Sequence, residues 1–227
     1  MRYDREVTKQ ESMSNPAKTH AAFYQPLVET IQTLTASFHT IPAERKTILE
    51  QLAHFVKVKA VKNKKIELIF ICTHNSRRSH IAQIWAQVAA AYYGIPNVMC
   101  YSGGTEATAF NPRAVRAMRE AGFRIQVSAE GANPTYKVSF SDEATAVIAF
   151  SKKYDAQSNP QKGFAAIMTC SHADENCPVV FGMEKRISLP YDDPKDFDGT
   201  SQELEKYAER VREIGTEILY AFSQVKV

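Results

Sequence analysis

Ile66-Glu-Leu-Ile-Phe-Ile71 leads straight into Cys72-Thr-His-Asn-Ser-Arg-Arg78-Ser79, and a helical pattern with apolar positions Ile81, Ile84, Trp85 and Val88 follows at once. A short apolar run, a loop and an amphipathic helix make a strand-loop-helix unit. Five residues separate Cys72 from Arg78, so the loop is one turn and its N–H groups can converge with the guanidinium on one centre. Helix N-termini and amide nests of this kind favour anions. Arg78 adds a planar fork for two oxygens of a tetrahedral oxyanion, and the same field favours thiolate over thiol at Cys72. Thr73, His74, Asn75, Ser76, Arg77, Arg78 and Ser79 are therefore the candidate oxyanion-binding residues, and Cys72 the candidate nucleophile. A buried cysteine in a turn beside surface arginines would share the spacing; the place between a buried strand and a helix favours the pocket.

Working outward, Val98 to Tyr101 reads as a second strand. Asn111 caps and Pro112 opens a helix burying Val115 and Met118 and ending at Gly122. Tyr136 to Phe140 and Thr145 to Phe150 read as two strands around the turn Ser141-Asp-Glu, followed by a polar loop over Lys152 to Lys162. Phe164 to Thr169 is another buried strand. A long helix from about Ser201 to Phe222 closes the chain, with Thr200 and Glu203 in capping-box spacing. Strands separated by helices predict an α/β fold, a parallel sheet flanked by helices with a β-hairpin insert. Ligands of such sheets sit at the carboxyl ends of strands, where Cys72 and Cys170 both fall.

Before this domain, residues 1–19 are polar and aperiodic and read as a tail. Residues 20–64 hold a helical hairpin and linker. Phe23, Leu27, Ile31, Leu34 and Phe38 recur at helical spacing, and a second helix starting at Pro42 buries Ile48, Leu49, Leu52, Phe55 and Val56. Lys57 to Lys65 reads as a basic linker. A hairpin this small cannot bury its own apolar faces; it packs on the main domain, residues 65–227, or on another subunit, which would make a homodimer.

The 227 residues carry 44% hydrophobic and 23% charged side chains and a net charge of +3, ordinary for a soluble globular protein and too weak a positive balance to indicate nucleic acid. No apolar stretch is long enough for a membrane span, and Met1-Arg-Tyr-Asp-Arg lacks a signal-peptide core, so a cytoplasmic location is expected. There the cysteines at 72, 100, 170 and 177 are expected to be reactive or core thiols, not structural disulfides. Cys100 belongs to a strand interior.

Cys170-Ser-His-Ala-Asp-Glu-Asn-Cys177-Pro178 starts where the strand Phe164 to Thr169 ends. The spacing is wide for zinc, even with His172 between the thiols, and no metal is expected. A disulfide across it would close a short loop and be labile; two inert thiols are equally compatible with spacing alone. Tyr191-Asp-Asp193-Pro194 lies before the last helix. An acid there can protonate a leaving oxygen, and the proline after Asp193 makes it the candidate over Asp192.

These three elements, in this order, resemble the low-molecular-weight protein tyrosine phosphatases and, among them, the thioredoxin-coupled arsenate reductases. Cys72 to Ser79 and Asp193-Pro194 are common to both branches; Cys170 with Cys177-Pro178, Ser102-Gly-Gly-Thr-Glu106 and Asn111-Pro112 are similar to the reductases. The resemblance implies roles for each residue. Cys72 is the nucleophile, Asn75 holds the loop, Ser79 supports the thiolate, Arg78 binds the oxyanion and Asp193 is the general acid. It further implies arsenate reduction without a cofactor: Cys72 attacks arsenate, Cys170 and then Cys177 resolve the adduct as disulfides, and thioredoxin restores the thiols. The other branch would instead hydrolyse phosphotyrosine through a Cys72 phosphoenzyme. Arg77 stands where many such reductases carry another cysteine and His74 where a glycine is usual. The hairpin and the 136–162 insert lie outside the family pattern.

Overall fold

The computed structural model describes residues 22–176 and 179–226; the expected tail over 1–19 and the pair Cys177-Pro178 lie outside them. Four strands, β1 (Ile66–Cys72), β2 (Val98–Gly104), β6 (Phe164–Met168) and β7 (Met183–Ser188), form one parallel sheet in the order β2-β1-β6-β7. β1 is central, and its two faces bury into separate clusters. Leu68 and Phe70 enter the large core under the helices; Ile69 and Ile71 enter a smaller one that also contains Cys72, Met168, Cys170 and Ala173. Burial on both faces explains why the strand is a continuous apolar run instead of an alternating one.

The helices are α1 (Gln25–Ala36), α2 (Ala43–Val61), α3 (Arg78–Tyr92), α4 (Pro112–Glu120), α5 (Ser171–Asn176) and α6 (Glu203–Ser223). α4 starts as expected, with the Asn111 carboxamide accepting from Arg113 N at 2.9 Å. At α6 the two expected capping side chains divide the work. Glu203 reaches back to Gly199 N at 2.7 Å while Thr200 Oγ1 accepts from Gln202 N at 3.2 Å, so the helix opens at Glu203.

The N-terminal hairpin packs on its own chain. Leu27, Ile31 and Leu34 of α1 and Leu49, Leu52 and Val56 of α2 are buried in the large core, against α6. Gly215 permits the approach, since a Cβ there would lie 2.7 Å from Leu34 Cδ1 and 2.8 Å from Trp85 Cε2. The basic linker expected over Lys57 to Lys65 is corrected: α2 continues to Val61. Within this stretch Lys59 docks the helix on the main domain, its Nζ donating to Gly163 O at 2.7 Å and pairing with Glu184 at 2.8 Å.

The insert is a small antiparallel sheet, β3-β4-β5, in which β4 (Thr135–Ser139) and β5 (Val147–Ala149) correspond to the expected hairpin. β3 (Arg124–Ala129) was not expected, and neither was the edge strand β7. Among the described residues no helix is long and apolar enough to cross a membrane.

Candidate active site

β1 and β6 run in register, Ile71 beside Met168, so Cys72 and Cys170 leave the sheet at the same end. Thr169 seals the junction, its N–H and its hydroxyl both donating to Ile71 O, at 2.7 and 2.9 Å. Adjacent parallel strands lie roughly 5 Å apart, so the chain ends beyond them are forced together.

The loop from Thr73 to Arg77 is held almost entirely by its carbonyls. Cys72 O accepts from Thr105 N, Thr73 O from Glu106 N and the Thr105 hydroxyl, and Ser76 O from Asn111 N. His74 O takes hydrogen bonds from the hydroxyls of Ser151 and Thr108, at 3.0 and 3.1 Å. By contrast, no N–H from Thr73 to Arg78 donates to a protein acceptor among the described residues. A loop whose carbonyls are used outward and whose N–H groups are unspent, joined to the open N-terminus of α3, is a concentrated positive pole. Gly104 belongs to this frame: a Cβ would meet Thr73 O at 2.6 Å and Asn75 N at 2.7 Å.

Asn75 adopts a left-handed conformation, φ 45°, tolerable for asparagine and costly for most residues. Its carboxamide fixes it there. Nδ2 donates to Ser79 Oγ at 2.9 Å, and Oδ1 accepts from Lys152 N at 2.9 Å. Ser79 Oγ in turn is 3.1 Å from Cys72 Sγ. Asn75 accordingly orients Ser79 by filling one lone pair of its oxygen, and toward a thiolate the hydroxyl can only donate. Cys72 is buried, 3% exposed.

Arg78 places one arm on Tyr191 O at 2.9 Å and the other on Asp193 Oδ2 at 2.7 Å. Asp193 also caps the 3-10 turn Pro194–Phe197, accepting from Lys195 N at 3.1 Å. Arg77 turns toward α6 while staying within reach of the same carboxylate: its Nε donates to Tyr207 OH at 2.8 Å, that hydroxyl donates to Asp198 Oδ1 at 2.8 Å, and its Nη1 lies 3.9 Å from Asp193 Oδ1, so Arg77 ties the loop to α6 and to the Asp193 segment. His74 is half exposed and lies 3.7 Å from Glu106.

Thr73 Oγ1 is 3.5 Å from Cys170 Sγ and 3.2 Å from His172 Nδ1. Cys170 is 1% exposed, with Ala173 N 3.4 Å from its sulfur at the start of α5. Cys177 cannot be placed, as it lies outside the described residues. Cys100 is buried in β2, and burial pushes its thiol up, consistent with a core role.

Residues without a sequence signal complete the frame. Ser151 and Lys152 come from the polar loop after β5, far along the chain, and only the fold brings them against the cysteine loop. Lys152 is pushed down to about 8 by burial. His80, stacked on Phe110 with ring centres 4.3 Å apart and 3.2 Å from Ser102 Oγ, is pushed down to about 3 by burial and secondarily by the Lys152 charge. Both groups lie behind the anion loop, and burial favours their neutral forms.

Comparison with known proteins agrees with this geometry. Residues 67–213 match the model of the low molecular weight phosphotyrosine protein phosphatase family. A protein named arsenate reductase from Halalkalibacterium halodurans is 33% identical over 157 residues, which are 69% of this chain and 94% of the relative. One of the same name from Bacillus subtilis is 32% identical over 152 residues, 66% of this chain and 91% of the relative. Among solved structures, a mutant of YwlE from Bacillus subtilis matches over 72% of this chain and 100% of that one, at 19% identity and a TM-score of 0.48, a likeness too low to add to the assignment. The family match runs from Glu67 on β1 to Glu213 on α6 and spans the cysteine loop, Cys170 and the Asp193 segment alike: the chain belongs to the low molecular weight phosphotyrosine protein phosphatase family.

Proposed function

We propose that this enzyme reduces arsenate to arsenite by a three-thiol relay recharged by thioredoxin. The observation that carries the proposal is the position of Cys170, whose sulfur lies 3.5 Å from the hydroxyl of Thr73, inside the anion loop, and in the same packed cluster as Cys72. Ester hydrolysis needs one thiol; reduction needs a second thiol within reach of the first. The relatives named arsenate reductase support the same reading.

The Cys72 thiolate attacks arsenic, a sulfur–arsenic bond forms, and an oxygen leaves as water after taking a proton from Asp193 as general acid. The spare N–H groups of the loop and the Arg78 fork hold the remaining oxygens. For this Arg78 shares or exchanges its contact with Asp193. The Cys170 thiolate then attacks Cys72 Sγ. The electron pair of the sulfur–arsenic bond goes to arsenic, which leaves as arsenite, and a Cys72–Cys170 disulfide remains. Cys177 attacks Cys170, freeing Cys72, and the Cys170–Cys177 disulfide is reduced by the dithiol of thioredoxin. Net, arsenate takes two electrons and two protons and yields arsenite and water.

The last exchange requires the segment from Cys170 to Cys177 to change shape, because a six-residue helix lies between the two cysteines. Phosphotyrosine hydrolysis is the competing activity of the same cradle. After Pro194 come Lys195, Asp196 and Phe197, without the tyrosines that would stack on a phenol ring, which favours an inorganic oxyanion. Arsenate-dependent oxidation of thioredoxin, measured beside hydrolysis of an aryl phosphate, tests the reading. Steady arsenate turnover that stops in Cys177→Ser while hydrolysis persists is the expected outcome; turnover unaffected by that substitution would remove the relay.

A further inference from the structure

The N-terminal hairpin lies outside the family match, yet one of its side chains reaches the segment that carries Asp193. Arg45, on α2, donates Nε to Glu217 Oε1 at 2.8 Å and Nη2 to Glu217 Oε2 at 2.6 Å. Glu217 is a buried residue of α6. A carboxylate gripping one edge of a guanidinium fixes its plane. The remaining nitrogen, Nη1, donates to Pro190 O at 3.1 Å, and the guanidinium carbon lies 5.0 Å from the centre of the Tyr191 ring.

Pro190 and Tyr191 immediately precede Asp192 and Asp193. Tyr191 is buried, its N–H donates to Thr169 O at 3.2 Å, and its carbonyl accepts from Arg78 Nη1 at 2.9 Å. Two consecutive carbonyls are thus held by two arginines, one from the hairpin and one from the anion loop.

We propose that Arg45 is a positioning residue: through it the N-terminal hairpin clamps the Pro190 to Asp193 segment and sets the place of Asp193 over the anion loop. It touches neither sulfur nor substrate. The clamp rests on Asp193 being the acid, as argued above, and is indifferent to whether the oxyanion is arsenate or a phosphate ester.

Arg45→Lys is the informative variant, because it keeps a positive charge beside Glu217 and loses the fork to Pro190 and the flat face toward Tyr191. Lys59→Met, on the same helix but bonded to Gly163 and Glu184, controls for general loosening of the hairpin. Amide hydrogen exchange comes first and needs no assumption about the reaction. Tyr191 to Asp193 should exchange about tenfold faster in Arg45→Lys, with Thr73 to Ser79 unchanged, as expected for a local opening. A double-mutant cycle with Asp193→Asn comes second, read in arsenate reduction or aryl phosphate hydrolysis, whichever the native chain performs. Arg45→Lys should lower kcat about tenfold at unchanged KM and cause no further loss once Asp193 is Asn. Lys59→Met should leave both readouts at the native level. Unchanged exchange in Arg45→Lys, or an equal loss with and without Asp193, overturns the clamp. If exchange rises but Asp193→Asn retains full activity, the clamp stands and it is the acid role of Asp193 that fails.

Discussion

Ser79 is the polar side chain next to Cys72 Sγ, 3.1 Å away, and Asn75 holds it there. A hydrogen bond to a charged group is worth about 1.5–3 kcal/mol. Ser79→Ala should therefore slow alkylation of Cys72 by iodoacetamide at pH 7 by about tenfold or more, without unfolding the chain; an unchanged rate would mean that Ser79 does not support the thiolate. His80 makes a separate, pH-dependent prediction. Its folded value, about 3, lies below the 6.5 of an unfolded histidine, so between those limits the unfolded chain binds the additional proton. Stability from this site is complete above 6.5 and is lost as pH falls toward 3. The urea midpoint should drop between pH 7 and pH 4.5, and by less in His80→Gln; parallel slopes in the two proteins would contradict the assignment. The frame of the cysteine loop was largely legible, since Cys72 to Ser79 is one contiguous stretch. The contacts of Ser151, Lys152 and Arg45 were not, because each crosses a large sequence separation and none belongs to a local pattern.

Elements with a buried face on both sides or a strong stripe could be read from the chain; elements at edges could not. β1 and β6 are almost wholly apolar, and α1 and α2 carry their core residues at helical spacing, so each was expected, although α2 runs on to Val61 where a linker was expected. β7, Met-Glu-Lys-Arg-Ile-Ser, buries only Ile187 and pairs along one edge, and β3 buries only Ile125. Neither shows the alternation by which a strand is recognised, and both exist because a neighbouring strand offers hydrogen bonds. The overextended linker has the same origin: the lysines of α2 conceal a helix whose last turn is bound through Lys59 and Ala60. The hairpin should be an integral part of the core. Leu49 is fully buried, and Leu49→Ala should cost about 2–5 kcal/mol, measured by chemical denaturation. A loss within a few tenths of a kcal/mol would show that the hairpin is a detachable appendage.

Across the whole molecule, the parallel sheet brings a thiol from each of two neighbouring strands to one end, and the helix pair at the N-terminus packs on α6 and reaches Pro190 O through Arg45. Cys72 and Cys170 come together because β1 and β6 are adjacent, although 97 residues separate Thr73 from the cysteine its hydroxyl touches. That adjacency is a property of strand order, which no local pattern encodes; the sequence suggested two thiols at strand ends, and the topology makes them neighbours. Electron transfer between these two thiols is tested by mixing reduced Cys177→Ser protein with one equivalent of arsenate, quenching by alkylation, and identifying disulfide-linked peptides by mass spectrometry. The relay predicts a Cys72–Cys170 linkage formed in step with one equivalent of arsenite. Arsenite released without that linkage, or both thiols recovered alkylated and no arsenite formed, would contradict it.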